Sequence, residues 1–98
     1  MKALTPSELQ AGLKDLPRWV ERDGKLCRKF EFEDFVSAFS FMTAVALVSE
    51  SRDHHPEWTN VYGTVDVALV THDAGGITTK DLELAHAMDR LACVRNPS

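Results

Sequence analysis

Glu50, His54, His55, Pro56, Tyr62, His72 and Asp81 are the residues of this chain whose types and spacing could do chemistry. Three of the four histidines fall in one short stretch, set among carboxylates and aromatics. Imidazole gives or takes a proton near neutral pH because its ordinary pKa is about 6.5. No cysteine lies beside these histidines. The cluster therefore reads first as proton-transfer machinery and only second as a metal site. Adjacent histidines do not bring both rings to one metal, as two histidines one helical turn apart do. Cys27 and Cys93 lie far away in sequence. No metal and no cofactor is expected, and three histidines converging on a catalytic zinc of a hydrolase is the lesser alternative.

Each candidate has a role and a plainer reading. Glu50 and His54 are four apart at a helix end and share a face, so the carboxylate could fix the imidazole. Taken alone, they would be a solvated surface pair. His54 and His55 sit where the chain unwinds before Pro56. Neighbours in extended chain point in opposite directions, so one could face a pocket while the other supports it. His72 lies at a strand end beside a glycine loop, where site residues are common. Asp81 could orient His72, and it also suits helix capping. Among the aromatics, Trp58 reads as core and Trp19 as a possible pocket wall. Pro56 shapes the passage from helix to strand, and His86 reads as a surface residue.

The spacing is an acidic residue, three residues, His-His-Pro, five residues, an aromatic, nine residues, His, eight residues, Asp. It resembles the pterin-4a-carbinolamine dehydratases. Asp53 to Tyr62, followed by Val70-Thr71-His72, carries the core of that resemblance. It continues upstream through Arg28 to Phe35, reaches Trp19, and covers most of the chain from about Leu16 to Leu91. The resemblance implies dehydration of a 4a-hydroxytetrahydropterin to a quinonoid dihydropterin, in recycling of the pterin cofactor. It implies catalytic roles for His54, His55 and His72. Glu50, Asp81, Pro56 and Trp19 would bind or orient the substrate. It also points to a homodimer or homotetramer. In animals the family resembles a dimerisation cofactor that docks on a transcription factor, so a protein-binding module is the alternative.

These residues need a scaffold, and the rest of the sequence describes one. Thr5-Pro6-Ser7-Glu8 is a capping box with proline at the first helical position, predicting a helix from Pro6 to Leu13. Strand-like runs flank Asp23-Gly24, a type I′ hairpin signal. Asp34 could cap a long helix to Ser51 or Arg52, with Phe35, Phe39, Met42 and Ala46 as its leading stripe. Phe41, Val45 and Val48 widen that stripe, so the helix should be covered on more than one side. Pro56 should end it near His54. A second hairpin, Trp58 to Tyr62 and Val65 to Thr71, would turn at Gly63-Thr64, with Asp73 to Gly76 as a flexible loop. Thr78 would cap a last helix carrying Leu84, Met88 and Leu91, ended by Arg95 and Asn96-Pro97. The expected fold is α+β: a four-stranded antiparallel sheet with three helices on one face.

At 98 residues the chain suits a single domain spanning 1–98. Its net charge of −4 and lack of a basic run argue against a direct nucleic-acid partner. The most apolar run, Phe35 to Val48, is too short to span a bilayer. Two isolated cysteines and an N-terminus without an apolar leader point to a reducing, cytoplasmic setting.

Overall fold

Thr5-Pro6-Ser7-Glu8 starts the first helix as its residue types dictate. In this computed structural model, which describes residues 1–95, α1 runs Pro6–Leu13. Glu8 N–H donates to Thr5 Oγ1 at 3.2 Å and Thr5 N–H donates to Glu8 Oε1 at 2.8 Å. Strands β1 (Val20–Arg22) and β2 (Lys25–Glu31) follow. Asp23 and Gly24 join them with φ of 53° and 78°, as a type I′ turn requires.

Helix α2 spans Phe35–Arg52, and the Asp34 carboxylate accepts the Ser37 N–H at 2.8 Å. That bond holds the Asp34 carboxyl below its ordinary value. The helix stops earlier than Pro56 alone would stop it. Asp53 takes the left-handed conformation, φ 51° and ψ 43°, and the His54 N–H closes onto Ser49 O at 3.0 Å. Aspartate tolerates this conformation better than most residues. His54 and His55 therefore leave the helix altogether.

Strands β3 (Glu57–Val61) and β4 (Thr64–Leu69) form the second hairpin. Val61 pairs with Thr64, so the turn is Tyr62-Gly63 rather than Gly63-Thr64. Tyr62 carries a φ of 51°. Asn60 Nδ2 donates to Tyr62 O at 3.0 Å and Thr64 O at 2.9 Å, and clamps that conformation. The four strands are antiparallel in the order β1-β2-β4-β3.

Beyond β4 the chain does not form a loose loop at Asp73 to Gly76. His72–Ala74 make one 3-10 turn, and Thr71 bridges to Gly76 beneath it. Helix α3 runs Thr79–Arg95. Thr78 caps it: its Oγ1 accepts the Lys80 N–H at 3.2 Å, while Asp81 Oδ2 accepts the Thr78 N–H at 2.8 Å. The expected stop at Asn96-Pro97 lies outside the described residues.

The core lies between one sheet face and the helices. Leu26, Phe30, Val65, Val67 and Leu69 meet Ala38, Phe41 and Val45 of α2 and Leu84, Ala85, Met88 and Ala92 of α3. Each large apolar side chain so buried contributes about 1.5–3 kcal/mol. Leu9 and Leu13 of α1 pack against this core's edge, and Gly12 lets α1 approach Leu82 of α3. The expected leading stripe of α2 is corrected. Phe35, Phe39 and Ala46 are exposed, and the buried stripe is Ala38, Phe41, Val45 and Ser49. A helix apolar around its girth does not select its own inner face. The aromatics of β2 and its continuation select it here: the Phe41 ring centroid lies 4.7 Å from Phe30 and 5.0 Å from Phe32.

Gly63 is the tightest point of the second hairpin. Phe32 N–H donates to Gly63 O at 2.8 Å, and a Cβ on Gly63 would stand 2.4 Å from Phe32 O. Gly24 has open space and only its positive φ to lose. Gly63→Ala should cost about 2–3 kcal/mol, and Gly24→Ala about 1 kcal/mol. Urea midpoints at unchanged m-value give both numbers. A larger loss at Gly24 would refute the close-approach account.

Candidate active site

Asp81 is the residue around which the site is built. It stands in the first turn of α3 with no exposed surface. Its Oδ2 accepts from Thr78 N–H at 2.8 Å and from Thr71 Oγ1 at 2.9 Å. Its Oδ1 lies 2.6 Å from His54 Nε2. Thr71 gives its hydroxyl proton to Asp81. Thr78 Oγ1, 2.7 Å away, must then donate to Thr71. One carboxylate thus ties the helix start, the bridge after β4 and the segment after α2.

The pairing differs from the sequence expectation. Glu50 does not hold His54; its Oε1 lies 2.9 Å from His55 Nε2. Asp81 does not orient His72; it holds His54. His72 Nε2 instead lies 3.1 Å from Glu57 Oε2. The reason is the left-handed Asp53. Helical i,i+4 geometry ends there, so His54 turns inward toward α3 and His55 swings back over the last turn of α2. Each of the three imidazoles now presents Nε2 to a different carboxylate.

The three histidines line one cavity of about 230 Å³, together with Asp53, Thr71 and Lys80. Pockets that enclose a drug-sized ligand hold roughly 300–1,000 Å³, so there is room for a small ring system with part of it left in water. Their exposure is graded. The side chain of His54 is 11% exposed, that of His55 55% and that of His72 76%. A larger hollow of about 940 Å³ lies on the outer sheet face against Cys27, Lys29, Thr59 and Asp66, and no histidine lines it. The titratable cluster, not the size of the hollow, marks the candidate site.

Pro56 sits between His55 and β3 and does not line the cavity. Trp19 is not brought to the histidines. It is buried in the core, its Nε1 donates to Asp89 Oδ1 at 2.8 Å, and its ring meets Phe30 edge-on at 5.8 Å. His86 is half-buried rather than at the surface. The sequence reading missed Glu57, Thr71, Thr78 as a hydroxyl donor, and Lys80. Period-two alternation from Glu57 could have placed its side chain on one face with Thr59, but not beside His72. Glu57 Oε1 also accepts from Lys25 Nζ at 2.6 Å. Lys25, and after it His72, hold the Glu57 carboxyl below its ordinary value. Among the described residues no three His, Cys, Asp or Glu side chains come together as a metal-ligand set.

This arrangement can protonate and deprotonate a small ring lying among three oriented imidazoles. The family profile described as Pterin 4 alpha carbinolamine dehydratase matches residues 2–91. A protein of Bradyrhizobium sp. strain ORS 278, provisionally named a pterin-4-alpha-carbinolamine dehydratase, is 54% identical over 94 residues, 94% of each chain. Another so named, from Bradyrhizobium sp. strain BTAi1, is 62% identical over 82 residues, covering 82% of this chain and 83% of its own. The crystal structure of a transcriptional coactivator/pterin dehydratase from Brucella melitensis superposes with a TM-score of 0.90 at 44% identity. It covers 93% of this chain and 99% of that one. A pterin dehydratase-like protein identified as a RuBisCO assembly factor in the alpha-carboxysome shares the fold, with a TM-score of 0.63 at 24% identity, over 76% of this chain and 87% of that one.

Thr71→Val keeps the shape of the side chain but removes the hydroxyl between Asp81 and Thr78. It should destabilise the protein by about 1–3 kcal/mol, because buried polar partners lose their bonds. Thr59→Val on the open sheet face should stay within about 0.5 kcal/mol. Equal effects in urea unfolding would show that the Asp81 network carries no special weight.

Proposed function

This chain belongs to the pterin 4 alpha carbinolamine dehydratase family, and we propose that it dehydrates a 4a-hydroxytetrahydropterin to the quinonoid dihydropterin by histidine acid–base catalysis. The observation that carries this reading is the convergence of His54, His55 and His72 on one small cavity. Hydroxide leaves poorly, so the 4a-oxygen needs a proton as its C–O bond breaks. The N5 lone pair pushes the hydroxyl out, and N5 then gives up its own proton. An imidazolium and a neutral imidazole meet both needs without a cofactor. His54 and His72 take the acid and base roles. His55, steadied by Glu50, binds and polarises the ring. Such a step returns the pterin to a form that can be reduced and used again.

His72→Ala should lower turnover about 10²- to 10⁴-fold with a much smaller change in KM. His54→Ala should behave alike, whereas His55→Ala should weaken binding more. Stopped-flow kinetics on freshly generated 4a-carbinolamine, with the buffer rate subtracted, make the comparison. EDTA-dialysed protein should retain full turnover. Wild-type turnover by His72→Ala would remove that residue from the catalytic set.

A second observation favours association. Phe35, Val36, Phe39 and Leu47 form an exposed apolar strip on α2, with the Phe35 and Phe39 rings 5.6 Å apart. Such a strip marks a protein contact, and the reading is a homodimer or homotetramer. The same strip would serve a protein-binding module, the alternative reading, and the Brucella melitensis protein is described as a transcriptional coactivator as well as a pterin dehydratase. Turnover separates the two, because a pure partner protein binds without catalysis. Sedimentation at micromolar concentration should give the mass of two or four chains, and Leu47→Glu should lower it. A single-chain mass for the wild type would contradict the oligomer.

A further inference from the structure

His72 is the most exposed of the three imidazoles, so its orientation depends most on its partner. Its backbone is set by the 3-10 turn and the Thr71–Gly76 bridge. Its side chain meets Glu57 Oε2 at 3.1 Å. Glu57 opens β3 and Lys25 opens β2, the two strands that flank β4. Glu57 and Cys27 both pair with Ala68, so Glu57 lies two strands across from the start of β2. Lys25 Nζ spans that gap and donates to Glu57 Oε1 at 2.6 Å. Both oxygens of the carboxylate are therefore engaged, one by the lysine and one by the imidazole.

Lys25 keeps the Glu57 carboxyl below its ordinary value, with His72 adding to the effect. At neutral pH Glu57 is then an acceptor only. The ring nitrogen that faces it must carry the hydrogen. In a neutral imidazole the other nitrogen carries the lone pair. Among the described residues Nδ1 of His72 makes no hydrogen bond, and His72 lines the cavity. We infer that Glu57, restrained by Lys25, is a positioning residue that holds His72 as its Nε2–H tautomer, so that Nδ1 exchanges the proton with substrate. The inference rests on the dehydratase reading for its kinetic part only.

A plainer account is that Lys25, Glu57 and His72 form an ordinary surface ion cluster, which contributes little. The test separates the two. In ¹⁵N-labelled protein without ligand, at a pH where His72 is neutral, its ring should show a pyrrole-type Nε2 and a pyridine-type Nδ1. Glu57→Ala should lose that bias, whereas Glu57→Gln should keep it, because an amide oxygen still accepts. In turnover of the 4a-carbinolamine, Glu57→Ala should lower kcat about tenfold, less than the roughly 10²- to 10⁴-fold of an acid or base itself. KM should stay within about twofold, as expected when an interaction made in the transition state is lost. Glu57→Gln should recover most of that loss, and Lys25→Met should lose less than Glu57→Ala. In a His72→Ala background Glu57→Ala should have no further effect, because its influence passes through His72. A His72 ring in the Nδ1–H form, or an equal Glu57→Ala loss with and without His72, would overturn the inference. Absence of turnover by the wild-type protein would defeat the dehydratase reading instead, and the tautomer measurement would still decide the role of Glu57.

Discussion

A carboxylate with no exposed surface must have its bonds met inside the protein, and Asp81 has them met by three separate segments. That constraint organises the site. A buried carboxylate without partners costs several kcal/mol, so the start of α3, the bridge after β4 and the turn after α2 are held to one geometry. Thr71 and Thr78 leave Asp81 no freedom to rotate, and His54 is fixed by what remains. The same residue caps a helix and presents an imidazole.

The three imidazoles differ in the medium around them. His54 is nearly enclosed, and its interaction with Asp81 acts at short range with little water between. His55 and His72 stand largely in water, where solvent and salt weaken any one charge pair. A substrate ring filling the cavity would displace part of that water and strengthen both interactions. His54 arrives already oriented. The graded burial thus sets one enclosed, oriented imidazole beside two that stand largely in water.

Helix α2 links the site to the exterior. Its inner stripe of Ala38, Phe41, Val45 and Ser49 anchors it to the sheet, while its last turn carries Glu50 to His55. Its outer strip is apolar and exposed. Anything that covers that strip would stiffen a helix whose end shapes the cavity. The exposed strip and the cavity end therefore belong to one element without sharing residues.

The sequence by itself determined the element order, the capping box at Thr5, the Asp23-Gly24 turn, the Asp34 and Thr78 caps and the family resemblance. Each rests on residues within a few positions of one another, where backbone preference and short hydrogen bonds decide the outcome. The register of the second hairpin was not legible, because Tyr62 takes a left-handed φ that only Asn60 and the approach of Phe32 to Gly63 make tolerable. The buried face of α2 was not legible either, since both faces are apolar and Phe30 and Phe32 choose between them. Three histidines could be named as candidates, but their partners could not. Glu50 appeared to belong to His54 and Asp81 to His72. One left-handed residue, Asp53, and the packing of α3 reassigned them to His55 and His54, and strand order brought Glu57 and Lys25 to His72. Local bonding can be read along the chain. Which carboxylate meets which imidazole depends on segments up to 27 residues apart, and only the packed tertiary structure sets those distances.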